Sequence, residues 1–181
     1  LQEGGRTIMS GVLLETRNTE IAFGGLKAVS GFTVKINQGE LVGLIGPNGA
    51  GKTTVFNLLT GVYQPTGGEI LFKGEPTAGH RPFELSSKGI SRTFQNIRLF
   101  KDLTVKENIL IAAHQHSTYS MVDALLLSKK WAREENSLSE EALELLKIFD
   151  LHNRADELAG SLPYGQQRRL EILRALATKP T

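Results

Sequence analysis

The chain has 181 residues, 40% of them hydrophobic and 22% charged, proportions ordinary for a globular protein with one sizeable core or two small ones. Lys and Arg number 21 against 19 Asp and Glu, a balance that argues against a nucleic-acid binder, and the lack of cysteine excludes a disulfide framework and thiolate chemistry. No stretch approaches the roughly 18 consecutive apolar residues of a membrane-spanning helix, since the run at 124–127 leads straight into Lys129 and Lys130.

In chain order, residues 1–11 have no apolar h-region and are not a signal peptide, and Met9 reads as the natural start. Residues 12–45 read as β-rich. Apolar runs at 12–16, 21–23, 31–36 and 41–45 are separated by turn signals at Arg17-Asn18, Gly24-Gly25 and 37–39. Phe32, Val34 and Ile36 alternate with Thr33 and Lys35, as in a half-buried strand. A helix is expected over 52–60, stopped by Gly61, followed by a strand at 68–72, a loop over 74–82 and a strand over 91–95 that ends at Gln95.

Residues 104–150 are then dominated by helical patterns. Ala142, Leu145, Leu146 and Phe149 fall at i, i+3, i+4 and i+7 on one helix face, with Ser139 as the cap. A last helix over 167–177 turns Leu170, Leu173 and Leu176 inward. Arg168, Arg169 and Arg174 then read as its solvated face, the alternative being that they face nucleotide or a second subunit.

The chemistry concentrates in GPNGAGKTT at 46–54. Gly46, Pro47, Asn48, Gly49, Ala50, Gly51, Lys52 and Thr53 satisfy G-x-x-x-x-G-K-[ST] between a strand-type run and a helical one. Glycines let backbone N–H groups converge on phosphate oxygens, and the helix behind adds its positive end. Lys52 would reach the β- and γ-phosphates, the Thr53 hydroxyl would ligate Mg²⁺, and Thr54 adds a second hydroxyl. The plain alternative, a glycine-rich turn without a ligand, fits the flanking strand and helix less well. His114 and His116 suggest a metal only by their spacing, and without cysteine or a carboxylate cluster they read as exposed helix-end histidines. Trp131, beside Lys129, Lys130 and Arg133, reads as core or subunit packing rather than a membrane anchor.

The wider chain resembles the ATP-binding subunits of ABC transporters over nearly all its length. Phe23-Gly24-Gly25 looks like the aromatic segment that stacks on adenine, RTFQ at 92–95 like the glutamine loop, and LPYGQ at 162–166 like the L-S-G-G-Q signature. The resemblance implies that Phe23 stacks on the base and that the Gln95 amide touches Mg²⁺ and the attacking water. It also implies that Gly165 and Gln166 grip the γ-phosphate of ATP held by an opposite subunit. Pro163 and Tyr164 depart from the signature, so its serine contact is missing here. FQNIRLF at 94–100, LTVKENIL at 103–110, LPYGQQRRLEI and the insert at 121–131 look like the importers of branched-chain amino acids, the Liv type.

The family also carries an apolar strand ending in Asp-Glu and a later histidine. No run of four apolar residues among the 181 ends in Asp-Glu, so the expectation is a natural chain that continues further, or a fragment. The expected fold is α/β, a P-loop NTPase of ABC type with an N-terminal antiparallel β part and a helical insert, truncated at the C-terminus. Its parts are residues 1–95 for the nucleotide-binding core, 96–164 for the helical subdomain and 165–181 for the signature helix. The implied function is ATP hydrolysis energising an importer, with ATP and Mg²⁺ as cofactors. The implied partners are a second ATP-binding subunit, identical or not, and membrane permease subunits, with no direct contact to the transported substrate and none to nucleic acid. That places the protein in the cytoplasm, on the inner face of the membrane. The alternatives are a regulatory nucleotide-binding module that does not hydrolyse and a soluble ABC-type ATPase acting on nucleic acid or ribosomes.

Overall fold

Two long strands, β1 (Val12–Phe23) and β2 (Leu26–Asn37), pair antiparallel across a two-residue turn at Gly24 and Gly25, where Gly24 takes a φ of 58°. The structure, a computed structural model, describes residues 11–181, so the reading of Met9 as a start lies outside the described residues. In β2, Phe32, Val34 and Ile36 are half-buried and their neighbours exposed, as their alternation predicts.

The turn expected at Arg17 and Asn18 is instead a bulge inside β1, where the register to β2 shifts between Thr16 and Thr19. Asn18 takes a φ of 45°, a conformation Asn tolerates better than most residues, so the same side-chain chemistry serves a turn or a bulge. Its N–H donates to Thr33 Oγ1 at 2.9 Å. Thr16 and Thr19 are fully buried, and neighbouring strands satisfy them. Thr16 Oγ1 donates to Phe32 O at 3.1 Å and accepts the Val34 N–H at 2.9 Å, while Thr19 Oγ1 donates to Glu69 O at 2.9 Å. Gly68 lies under the bulge: a Cβ there would sit 2.2 Å from Asn18 O.

β3 (Gly67–Phe72) and the two-residue β4 (Glu75–Pro76) complete a sheet of order β2-β1-β3-β4. Its described pairs are all antiparallel. α1 (Lys52–Leu59) packs on it, burying Val55 and Leu58 against Ile21, Val29 and Ile70. Gly61 ends this helix region at a φ of 71°, where a Cβ would meet Leu85 Cδ1 at 2.8 Å. β4 and α2 (Pro82–Lys88) occupy a stretch read as loop or left unassigned.

Residues 41–45 are not a strand. A strand forms by exchanging hydrogen bonds with a neighbour, and among the described residues none pairs with this run, which leaves Leu41 98% and Ile45 94% exposed.

A charge cluster on the sheet makes a pH prediction. Glu15, nearly buried on β1, accepts from Arg17 Nη2 at 2.8 Å and pairs with Lys35 Nζ at 3.0 Å. Hydrogen bonds from Arg17 and then Lys35 pull its carboxyl from an ordinary 4.5 down to about 2. A folded-state value below the unfolded one contributes stability above pH 4.5 that is lost as pH falls toward 2. Glu15→Gln is therefore expected to flatten acid unfolding within that window, followed by circular dichroism. Superimposable acid-unfolding curves for variant and parent would refute this.

The first compact unit ends at Leu85 and the second runs Ser86–Thr181. The second is helical: α3 (Val105–Ala113), α4 (Met121–Leu125), α5 (Lys129–Lys147) and α6 (Tyr164–Ala177), with single 3₁₀ turns at His114–His116, His152–Arg154 and Ala159–Ser161. Thr104 and Glu107 cap α3 reciprocally, at 3.1 Å and 2.7 Å. Ser139 is interior to α5, whose cap is Ser128, with its hydroxyl accepting the Trp131 N–H at 3.2 Å, about four turns before Ala142. Ile109, Ala142, Leu146, Leu170 and Leu173 share one core, with Leu145 and Phe149 packed against it. Leu176, expected inward, is 40% exposed.

Candidate functional site

The 46–54 loop is shaped by its glycines. Gly49 and Gly51 have φ of 83° and 81°, which an L side chain adopts only under strain. At Gly51 sterics add to this, since a Cβ would lie 2.6 Å from Ala28 O on β2. The first α1 bond runs from Val55 N–H to Gly51 O at 2.9 Å. No side chain caps this helix and no acid lies in its first turn, so its leading amides and positive end are left for a ligand. Lys52 folds back across the loop and donates to Gly46 O and Pro47 O, both at 2.6 Å. Thr53 is exposed and Thr54 half-buried. Beside the loop, a pocket of about 240 Å³ is walled mainly by Val29, Phe32, Leu44, Ile45 and Val55, with Lys52 the one charged lining residue among the described residues. Those apolar walls do not suit a phosphate; the loop amides do.

Phe23 stands at the end of β1, 46% exposed, with its ring 5.2 Å from that of Tyr63 at 72° between planes. Sequence reading missed Tyr63. The contact joins a strand end to the segment after α1, forty positions away, and no local pattern marks it.

In the second unit Gln95 is exposed, and residues 91–95 form no strand. Side chains of α6 take the backbone groups a strand partner would have used. Phe94 N–H donates to Glu171 Oε1 at 3.4 Å and Phe94 O accepts from Arg168 Nη1. Arg168 Nη1 in turn pairs with Glu171 Oε2 at 2.6 Å and reaches Gln95 O at 3.4 Å. The residue just before Gln95 is thus held at its N–H by a nearly buried carboxylate and at its carbonyl by the paired arginine. Arg92 and Arg98 flank the Phe94 ring at 4.8 Å and 4.7 Å. Arg174 donates to Arg98 O and lies 5.0 Å over Phe100. Fully buried Asn108 holds both backbone groups of Phe100, at 3.0 Å and 2.9 Å. Arg168 and Arg174 are therefore not a solvated face, and an i, i+3 Arg–Glu pair was the one signal that could have shown it.

Gly165 lies in the first turn of α6, exposed, with nothing within 4 Å of where a Cβ would stand. Packing does not demand a glycine there, and its backbone is open to approach. Pro163 supplies no capping side chain, and its carbonyl accepts the Gln166 and Gln167 N–H groups at 2.9 Å and 3.0 Å. Gln166 Oε1 accepts from Arg154, whose guanidinium is held by Glu157 at 2.6 Å. His114 bonds Leu110 O at 2.7 Å and Glu135 at 2.9 Å, and His116 bonds Thr178 O at 2.9 Å, so both are engaged in the fold. Among the described residues no three His, Cys, Asp or Glu side chains gather as a metal site.

Residues 29–181 match the family model described as ABC transporter. The chain is 46% identical over 172 residues to the high-affinity branched-chain amino acid transport ATP-binding protein BraF of Pseudomonas aeruginosa, covering 95% of this chain and 68% of BraF. It is 42% identical over 172 residues to the corresponding protein LivG of Escherichia coli K12, with the same coverage. A crystal structure of the ADP conformation of MJ1267, an ATP-binding cassette of an ABC transporter, superposes with a TM-score of 0.77 at 35% identity, covering 94% of this chain and 66% of that one. The chain thus spans about two thirds of the length of the proteins it matches.

Proposed function

The chain belongs to the ABC transporter family, and on that premise we propose that it is the nucleotide-binding portion of an ATP-hydrolysing subunit that energises an importer of branched-chain amino acids. The observation that carries this is the 46–54 loop: two left-handed glycines, an uncapped helix start and a lysine spanning the loop. ATP phosphates would take the N–H groups of residues 51–54 and draw Lys52 Nζ from its two carbonyl partners onto β- and γ-oxygens. Phe23 would stack on the base. Thr53 Oγ1, a hard oxygen donor on an exposed residue beside the loop, is the ligand the first unit offers to Mg²⁺, which when bound would neutralise phosphate charge.

Gln95 would orient the attacking water, held in place by the grip of Arg168 and Glu171 on Phe94. An amide positions water but does not take its proton. Asp156-Glu157 offers no substitute, because Glu157 is spent on Arg154 and follows a 3₁₀ turn rather than a strand. We therefore assign residues 1–181 binding and positioning, with slow turnover at most. Calorimetric titration with Mg-ATP, together with phosphate release, tests the reading: saturable binding supports it and its absence sinks it.

Gly165 and Gln166 would meet the γ-phosphate held by a second subunit, a role supported by the open, uncapped start of α6. A permease partner would bring the protein to the inner face of the membrane, since no helix among the described residues is long and apolar enough to cross it. We place the docking surface on the helical insert, where Met121, Leu125, Leu126 and Leu127 are 65% to 88% exposed. Cross-linkers in residues 96–131 are expected to capture a co-expressed permease. Capture only from residues 12–36 would refute that placement.

A further inference from the structure

Phe23 sits where β1 gives way to the glycine turn, and stacking on a base would cost an unrestrained ring at such a strand end its rotamer freedom. The structure supplies a restraint. Tyr63 packs against it as an edge-to-face pair, with ring centroids 5.2 Å apart and planes at 72°. Tyr63 is itself fixed from behind: its N–H donates to Asn57 O at 3.1 Å, closing the α1 end beyond Gly61. The helix that opens with Lys52 therefore ends by anchoring the aromatic that touches Phe23. Both rings remain open to solvent, Phe23 at 46% and Tyr63 at 36%, so the pair is not a closed core contact.

We propose that Tyr63 is a positioning residue for base recognition: it holds the Phe23 ring in the orientation that accepts adenine, and so adds to the preference for a nucleotide over its bare phosphate chain. This rests on the reading of Phe23 as the stacking platform. Restricting a ring before the ligand arrives lowers the ordering cost at binding. An edge-to-face partner also fixes angle as well as place.

The test is a pair of titrations, ATP and inorganic triphosphate, on the parent chain and on Phe23→Ala, Tyr63→Ala, Tyr63→Phe and the Phe23→Ala/Tyr63→Ala double variant. Tyr63→Ala is expected to lower the ATP-over-triphosphate preference by about two- to tenfold. Tyr63→Phe should keep that preference, and the double variant should lose no more than Phe23→Ala alone. Triphosphate affinity doubles as the check that the phosphate loop is intact. If Phe23→Ala lowers the preference and Tyr63→Ala does not, the positioning role is overturned and the platform stands. If Phe23→Ala leaves the preference unchanged, both fall. Equal losses in Tyr63→Phe and Tyr63→Ala overturn the proposal by assigning the effect to the hydroxyl.

Discussion

Lys52→Ala is expected to weaken ATP binding by roughly ten- to a hundredfold while the protein stays folded. Among the described residues the ammonium is the one charged group seen crossing the loop, and it donates to two backbone carbonyls there. A hydrogen bond between charged partners is worth about 1.5–3 kcal/mol, which sets the size of the loss. Stability should change little, because Gly46 and Pro47 are exposed and water can take over their carbonyls. Isothermal titration with Mg-ATP reads the first effect, and denaturant unfolding of the same sample reads the second. Parental affinity in the alanine variant would mean that the loop binds no phosphate through this side chain.

Leu170→Ala is expected to destabilise the helical unit by about 2–5 kcal/mol, the usual cost of emptying a closed core site. Leu170 is fully buried on α6, in one cluster with Ile109 and Leu146. Leu176→Ala on the same helix is the control. With that side chain 40% exposed, its loss should be well below that of Leu170. Urea unfolding of both variants decides the matter: similar losses would show that the two leucines share one environment. A marked loss at Leu170 should also loosen the grip on Phe94, since Arg168 and Glu171 flank it on the same helix.

The fold class was legible because its signals are local. The glycine-lysine loop, the two-residue turn before β2 and the apolar face of α5 each declare themselves within a few residues. What the sequence concealed depends on partners. Residues 41–45 have strand composition, yet no described residue pairs with them. Residues 91–95 lost their strand to Arg168 and Glu171, more than seventy positions away. Asn18 announced irregularity but not whether the chain would reverse or merely bulge, since a left-handed Asn serves both. The candidate site divides likewise. Its phosphate-binding part reads directly from 46–54, whereas Tyr63, Asn108 and the α6 grip are visible only once the chain has folded.

The bare approach to the phosphate loop carries a consequence for how affinity should be interpreted. Residues 41–45 make no backbone hydrogen bond among the described residues, and the carbonyls of Gly46 and Pro47 are steadied by Lys52 itself. When Lys52 turns to a phosphate it gives up both carbonyls, which leaves the loop its own bond from Ala50 N–H to Pro47 O at 3.3 Å, so ligand must replace the anchor it displaces. Where only a fraction of such loops is competent, the apparent dissociation constant rises by the inverse of that fraction. If about one loop in ten were competent, nucleotide would bind about tenfold more weakly with every contact intact. Any added partner that pinned residues 41–45 would tighten ATP binding without touching ATP.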